Sequence, residues 1–253
     1  MANNIKISIV VPAFNEEELI SDCLNYLINQ DTNINYEIIV VDNNSRDKTF
    51  QVVRKIIQKN KKKRIKLLKE LERGVSCARQ KGFESAQGEI IISTDADSKV
   101  PRNWLHKIVN NFKKYPEIAA VGGPYDFYDE TFLIKVLRKP ITKISIFLDK
   151  MCGWGKNHFP GANFAIFKKD FQEVGGFDKS LYFGEDLELS IRLHKANKKI
   201  LFDKKMIISV ASRRYKSHII KGVWQSYGSY SKIIIVKKII PWWKNLFIIY
   251  EKN

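Results

Sequence analysis

Two acidic residues separated by a small one give the clearest chemical signal in this chain of 253 residues. Asp95-Ala96-Asp97 follows the apolar run Glu89 to Ser93, which predicts a buried strand. The chain turns where a strand ends, so the two carboxylates should lie close together and require a cation. Oxygen ligands without a neighbouring Cys or His favour Mg²⁺ or Mn²⁺, which complete their coordination with water or phosphate oxygens. The alternative is a solvated turn, and the ends of the other strands argue against it.

Polar residues also follow three other predicted strands. They are Pro12-Ala13-Phe14-Asn15-Glu16 after Ile5 to Val11, Asp42-Asn43-Asn44 after Glu37 to Val41, and Arg73-Gly74 after Ile65 to Leu68. These strands alternate with segments of helical periodicity, which indicates βαβ units and a mostly parallel sheet. Ligands bind at the carboxyl ends of the strands in such sheets, so the four polar clusters should converge on one crevice.

The chemistry of two of these residues suits a nucleotide. Asp42 can accept hydrogen bonds from a nucleobase N–H or a ribose hydroxyl, although a cap or Asx turn leading to Ser45 is an alternative. Arg73 precedes Gly74 at a predicted helix start, where a diphosphate would be well placed. A plain surface arginine is the alternative for Arg73.

The remaining elements predict a single α/β domain with a C-terminal extension. The first helix should open at Asn15, with Glu18 as its capping-box partner. Further predicted elements are a helix over Val75 to Ala86, a helix behind Pro101, the strand Phe164 to Phe167, a helix beginning at Gly184-Glu185-Asp186, and the strands Ile200 to Phe202 and Met206 to Val210. An alternative for Glu185 and Asp186 is a purely structural role, because acidic residues at a helix start interact favourably with the helix dipole.

Composition narrows the class of protein. Lys and Arg number 44 against 27 Asp and Glu, a net charge of +17 that attracts phosphate-rich partners. The cysteines Cys23, Cys77 and Cys152 have no CxxC spacing, which indicates reduced thiols in the cytoplasm. The N-terminus has no signal-peptide pattern, and no apolar run is long enough to predict a transmembrane helix.

Taken together, the motifs resemble family 2 glycosyltransferases. The matching segments, over about residues 5 to 210, are Ile9 to Glu16, Val40 to Thr49, Arg73 to Arg79, Asp95 to Asp97, Gly161 to Ile166, Gly175 to Asp178 and Gly184 to Glu188. The resemblance implies a GT-A fold, with a Rossmann-like, mostly parallel sheet flanked by helices. It also implies inverting transfer of a sugar from a nucleotide-sugar donor, UDP- or GDP-linked, to a hydroxyl of a glycan or lipid-linked acceptor in the cell envelope.

The resemblance also implies roles for individual residues. Donor contacts fall on Pro12, Ala13, Phe14, Asn15, Glu16, Asp42, Asn44, Arg73, Gly74, Asp95 and Ala96, with Arg213 or Arg214 near the diphosphate. Asp95 and Asp97 would hold the metal. Asp186 would be the general base, and Glu185 is the next candidate. Inversion by a single displacement needs one carboxylate to take the acceptor proton, which supports that assignment independently.

Acceptor contacts are expected from Trp154 and from Gly161, Ala162 and Asn163, where a packed loop is the alternative. Processive members of the family carry a Q-x-x-R-W box, whereas this chain has Ala211-Ser212-Arg213-Arg214-Tyr215, so a non-processive enzyme is expected. His158, His194 and His218 are weak candidates for a third metal ligand, and His194 is expected to be half-buried.

Two other functions remain open from sequence: a metal-dependent nucleotidyltransferase and a basic nucleic-acid-binding protein. Acids at the strand ends would repel a phosphate backbone, so nucleic acid is not expected as a partner. Residues 1–230 are predicted to form the catalytic domain and residues 231–253 a basic amphipathic tail. That tail could attach the protein to the cytoplasmic face of an anionic membrane or pack back on the domain.

Overall fold

A computed structural model describes residues 6–130, 158–181 and 184–213. This described part contains nine strands and six helices. The strands are β1 (Ile7–Ala13), β2 (Tyr36–Asp42), β3 (Ile65–Lys69), β4 (Ile90–Ser93), β5 (Ile118–Gly122), β6 (Tyr125–Phe127), β7 (Phe164–Phe167), β8 (Lys199–Phe202) and β9 (Ile208–Val210). The helices are α1 (Ile20–Ile28), α2 (Thr49–Lys59), α3 (Val75–Glu84), α4 (Trp104–Lys114), α5 (Lys168–Glu173) and α6 (Glu185–Lys195).

Seven strands form one sheet in the order β3-β2-β1-β4-β7-β5-β8. β7 runs antiparallel to both of its neighbours, and the other pairings in this sheet are parallel. Ala13 lies opposite Asp42, and Val10 lies opposite Ser93. The carboxyl ends of β1, β2 and β4 therefore share one edge, here called the carboxyl edge. The predicted α/β class and mostly parallel sheet are confirmed.

Helices cover both faces of the sheet, so β1 is buried along its whole length. Alternate residues of β1 enter two different hydrophobic clusters, as the period of two in a strand requires. Ile9 and Val11 pack in the cluster that contains Trp104, whereas Val10 packs with Phe83 of α3. A Cβ on Gly82 would lie 2.3 Å from Val10 Cγ1, so a glycine allows α3 to approach the sheet this closely.

A second, two-stranded sheet brings the end of the described chain close to the acid pair. Its strands β6 and β9 pair in parallel. Lys99 and Ser209 exchange backbone hydrogen bonds of 2.7 and 3.0 Å. The Ser212 N–H donates to Asp129 Oδ1 at 2.6 Å. The segment that leads to Arg213 is thereby fixed beside the residues that follow β4.

The prediction that the first helix opens at Asn15 is wrong, because α1 begins at Ile20 without a side-chain cap. Asn15 has a φ of 54° and uses its side chain to accept the Arg46 N–H at 2.8 Å. A contact with a distant loop has therefore replaced the local capping box. The next helix, α2, has Lys48 at its N-cap position and no side-chain cap there, although Asp47 Oδ1 accepts the Thr49 N–H at 2.9 Å.

Cys23 and Cys77 are buried free thiols. Across residues 6–130, 158–181 and 184–213, no helix is long and apolar enough to cross a membrane. Cys152 and the predicted tail, residues 231–253, lie outside the described residues.

Candidate active site

The loops after β1 and β2 are joined by a ladder of hydrogen bonds. The Asn15 N–H donates to Ser45 Oγ at 3.0 Å, and the Arg46 N–H donates back to Asn15 Oδ1 at 2.8 Å. The Glu16 N–H donates to Thr49 Oγ1 at 2.7 Å. Asparagine tolerates the left-handed backbone of residue 15 better than most residues. The ladder thus holds two of the predicted donor-binding loops in one arrangement.

The residues predicted to border the nucleoside differ in exposure. Pro12 and Ala13 are buried members of β1, so they contribute backbone and shape. The Phe14 side chain is 44% exposed. Arg73 Cζ, from the loop after β3, lies 5.8 Å from the centre of the Phe14 ring, which is within cation–π range. The loops after β1 and β3 therefore meet at the carboxyl edge, as predicted.

Asp42 ends β2 and is a buried carboxylate. The residue is 1% exposed, and its Oδ1 has no hydrogen-bond partner in the part of the chain that the structure describes. Burying a polar atom without a hydrogen bond costs free energy, so such atoms in native proteins call for an explanation. A hydrogen-bond donor on a ligand would supply one. Asn44, two residues on, has a φ of 59°.

Asn43, between these two residues, clamps the loop that carries Arg73. Its Nδ2 donates to the Glu72 carbonyl at 2.6 Å, and its Oδ1 accepts the Gly74 N–H at 2.9 Å. Gly74 is buried with a φ of 134°, a conformation that favours glycine. Asn43 belongs to the polar cluster predicted after β2, although no individual role was predicted for it, and its amide links that cluster to the loop of Arg73.

The acid pair after β4 is tied to a buried arginine. Asp95 and Asp97 are partly exposed, while Ala96 between them is 3% exposed. Asp95 Oδ1 accepts a hydrogen bond of 2.6 Å from Nη2 of Arg79, whose side chain is 4% exposed. Nη1 of the same guanidinium donates to the Glu185 carboxylate. A lone arginine on the buried face of α3 is the sequence signal that could have identified Arg79.

The first turn of α6 places two buried acids near the carboxyl edge. Gly184 begins the helix with a left-handed φ of 78°. Asp186 Oδ2 accepts the Gly161 N–H at 2.6 Å, and its Oδ1 accepts the Leu187 N–H at 2.8 Å. Glu185 is joined through Arg79 to Asp95, whereas Asp186 is held by backbone N–H groups.

Asn163 is placed differently from its prediction as an acceptor contact. It is fully buried, and its Nδ2 donates to the Met206 and Pro124 carbonyls at 2.6 and 2.9 Å. Its Oδ1 accepts the Trp104 Nε1–H at 3.0 Å. The neighbouring Ala162 is also buried. Because the amide is bonded inside the fold on both ends, Asn163 holds loops together and does not face an acceptor.

Glu16 and Arg213 form an ion pair near the carboxyl edge. Arg213 Nη2 contacts a Glu16 carboxylate oxygen. Burial raises the pKa of Glu16, and the Arg213 charge opposes that rise in part. Burial and the nearby carboxylates of Asp97 and Asp129 raise the pKa of Tyr128 to about 12. Acidic and basic groups from four segments thus share one small region.

The sequence profile described as "Glycosyl transferase family 2" matches residues 8–175. The chain belongs to glycosyl transferase family 2. The match runs from β1 through α5 and includes all four polar clusters at the strand ends. The predicted family and the predicted enzyme class, a glycosyltransferase, are therefore confirmed.

Among its relatives, this family 2 glycosyltransferase is 27% identical over 240 residues to a dolichyl N-acetyl-α-D-glucosaminyl phosphate 3-β-D-2,3-diacetamido-2,3-dideoxy-β-D-glucuronosyltransferase of Methanococcus voltae. That alignment covers 91% of this chain and 74% of the relative. This chain is also 32% identical over 121 residues to a dolichol-phosphate mannosyltransferase of Pyrococcus furiosus. That alignment covers 48% of this chain and 34% of the Pyrococcus protein.

Solved structures share the fold. The mannosyltransferase PcManGT from Pyrobaculum calidifontis, in complex with GDP-Man and Mn²⁺, superimposes with a TM-score of 0.70 at 23% identity over 90% of this chain. TarS 1–349 of S. aureus, in complex with UDP-GlcNAc, gives 0.62 at 19% identity over 82%. This chain spans 64% and 59% of those two chains. The predicted GT-A fold is confirmed.

The donor set at the end of β4 fits Mg²⁺ or Mn²⁺. Within the described ranges, no group of three or more His, Cys, Asp and Glu residues could hold a metal ion. A metal site at Asp95 and Asp97 would have few protein ligands, and such ions take their remaining ligands from water and phosphate. Arg79 occupies Oδ1 of Asp95, which leaves Oδ2 of that residue as the candidate ligand.

The histidines considered as a third metal ligand do not strengthen that role. His194 is exposed in the last turn of α6, so the expectation that it is half-buried is wrong. His158 is partly exposed in the segment that precedes Gly161. The candidates that lie outside the described residues are His218, Trp154 and Arg214.

Proposed function

We propose that this chain transfers a sugar, with inversion, from a UDP- or GDP-linked donor to a hydroxyl of a glycan or lipid-linked acceptor, one residue at a time. The observation that supports this proposal is the position of acids after the two strands that flank β1. β2 ends in Asp42, whose Oδ1 has no partner among the described residues, and β4 is followed by the acid pair Asp95 and Asp97. A nucleotide lying along this edge would meet a base-binding acid and a metal-binding pair in turn.

Each end of the donor has a chemical counterpart. Asp42 Oδ1 would accept a hydrogen bond from the base or the ribose. Phe14 and Arg73 would border the nucleoside, and their contact already pairs an aromatic face with a guanidinium. Arg213, which pairs with Glu16 in the structure, would exchange that carboxylate for the diphosphate.

The reacting end requires a base and a charge-neutralising group. A divalent ion held by Asp95 and Asp97 would stabilise the charge that develops on the leaving nucleoside diphosphate. Asp186, fixed by the Gly161 N–H, would take the acceptor hydroxyl proton. Glu185 serves less well as a base, because its carboxylate is engaged with a buried arginine.

The names of the relatives support the choice of substrates. The Methanococcus protein is named for transfer to a dolichyl-linked sugar phosphate, and the solved structures contain GDP-Man and UDP-GlcNAc. A nucleotidyltransferase would also use paired carboxylates, but membership of a glycosyltransferase family favours sugar transfer. Gly161 would lie closest to an acceptor, because its backbone contacts Asp186.

A lipid-linked acceptor would place the enzyme at a membrane. We propose that residues 1–230 act as the catalytic domain in the cytoplasm and that residues 231–253, with lysines and Trp242-Trp243, bind the anionic cytoplasmic face. Sedimentation with anionic liposomes at low salt checks this. Equal binding by a chain truncated at residue 230, or no binding by the full chain, contradicts it.

The enzymatic proposal is tested with a panel of UDP- and GDP-sugars, with and without Mn²⁺. One donor is expected to raise the melting temperature and to be hydrolysed slowly, in both cases only when Mn²⁺ is present. Stabilisation by nucleoside triphosphates alone, with release of pyrophosphate, would support a nucleotidyltransferase instead. No response to any donor would contradict the proposal.

A further inference from the structure

Arg79 makes contacts with two parts of the candidate site. From the buried face of α3, its Nε donates to Ser93 Oγ at 3.1 Å and its Nη2 donates to Asp95 Oδ1 at 2.6 Å. Its Nη1 donates to the Glu185 carboxylate. One guanidinium therefore spans the end of β4 and the first turn of α6, two segments far apart in the sequence.

Gly161 packs directly on this guanidinium. A Cβ at residue 161 would lie 2.5 Å from Nη1 and 2.8 Å from Cζ of Arg79, so any side chain there would have to displace the guanidinium. The same glycine donates its N–H to Asp186 Oδ2 at 2.6 Å. The arginine thus reaches Asp95 directly, Glu185 directly and Asp186 through one intervening backbone group.

We infer that Arg79 is a positioning residue that fixes the metal-site carboxylate of Asp95 relative to the helix that carries Asp186. This inference rests on the proposed function. If Arg79 were a purely structural buried ion pair, its loss would lower stability only. The loss of Arg79 should also change metal-dependent binding and turnover. One of its two carboxylate partners, Asp95, belongs to the proposed metal pair, and the other, Glu185, adjoins the proposed base.

The planar guanidinium suits this role better than an ammonium would. Its nitrogens form a rigid fork that can bond two carboxylates and a hydroxyl in fixed directions. Lysine at residue 79 would bring the same charge as a point, without the fixed directions. We therefore expect Arg79→Lys to keep part of the function, and Arg79→Met, which keeps length without charge, to lose more.

The test measures UDP and GDP binding by titration calorimetry at a series of Mn²⁺ concentrations, using the full chain. Four variants are compared with the parent: Arg79→Met, Arg79→Lys, Gly161→Ala and the control Arg192→Met. Arg192 is a matched control because it pairs with Glu188 of the same helix α6. Donor hydrolysis gives kcat and KM for each folded variant, and circular dichroism checks folding.

Arg79→Met is expected to raise the Mn²⁺ concentration for half-maximal binding by about 10- to 100-fold, the usual cost of losing a residue that orients a metal ligand. Its kcat should fall by a similar factor, with a smaller change in KM. Arg79→Lys should lie between this variant and the parent. Gly161→Ala should change both quantities in the same direction, because it displaces the guanidinium without removing its charge. Arg192→Met should lower the melting temperature alone.

The outcomes separate this inference from the proposed function. A parent chain without Mn²⁺-dependent nucleotide binding overturns the proposed function, and the role of Arg79 with it. A parent that binds, with Arg79→Met and Gly161→Ala within twofold of its Mn²⁺ requirement, overturns the role of Arg79 alone. An equal effect of Arg192→Met also overturns that role, because the cause would be general destabilisation. If Arg79→Met does not fold, Gly161→Ala decides.

Discussion

Removing the Asp42 carboxylate should weaken nucleotide binding without destabilising the protein. Its Oδ1 is buried and lacks a partner among the described residues, so it costs the free protein stability and has a hydrogen bond available for a ligand. A hydrogen bond to a charged acceptor contributes about 1.5–3 kcal/mol, which corresponds to a loss of roughly 10- to 100-fold in nucleotide affinity for Asp42→Ala. Because Asp42→Ala also removes this buried oxygen, the free energy of unfolding should stay unchanged or rise by up to about 2 kcal/mol.

The neighbouring Asn43 provides the matched control. Its amide bonds the Glu72 carbonyl and the Gly74 N–H, so Asn43→Ala should lower the free energy of unfolding by about 1–3 kcal/mol. Calorimetry with UDP and GDP in the presence of Mn²⁺ measures the affinities, and urea unfolding measures the stabilities. Parent-like binding by Asp42→Ala, or destabilisation equal to that of Asn43→Ala, would refute the reasoning.

Four further substitutions test the site and the loops that support it. Asp97→Ala, and somewhat less severely Asp95→Ala, should abolish Mn²⁺-dependent nucleotide binding, and unchanged affinity in calorimetry would refute the metal assignment. Asp186→Asn should keep donor affinity while lowering turnover by about 100-fold or more; near-normal transfer would move the base elsewhere. Asn163→Ala should lower the free energy of unfolding by about 3–5 kcal/mol, because the Trp104 N–H and two carbonyls lose their partner; a loss under about 1 kcal/mol in urea unfolding contradicts this.

Much of the fold could be predicted because its signals are local. β1 and β2 are continuous apolar runs that end in polar residues, and a parallel sheet then brings those ends to one edge. The strand Phe164–Phe167 was also predicted with its observed bounds. Its antiparallel position between β4 and β5 was not, because the partners of a strand depend on long-range packing, such as the stacking of Phe83 of α3 on Phe164.

The errors also come from long-range contacts. Asn15 has the sequence of a helix cap, yet Ser45 and Arg46 bind it from the next loop and α1 starts later. Asn163 was predicted to contact the acceptor, but its amide is hydrogen-bonded to three groups inside the fold: the Trp104 N–H and the carbonyls of Pro124 and Met206. Arg79 ends the motif Arg73 to Arg79, but its contacts could not be predicted because Glu185 lies 106 residues away. Hydrogen bonds of this kind are visible only once the chain is folded.

The central claim is metal-dependent transfer of a sugar with inversion at the carboxyl edge. It is tested most directly by following the hydrolysis of an α-linked nucleotide sugar by proton NMR at early times, before the free sugar mutarotates. With Mn²⁺, the first product should be the β-anomer, and chelation of the metal should stop its appearance. Initial release of the α-anomer, or a rate that chelation leaves unchanged, would contradict the account.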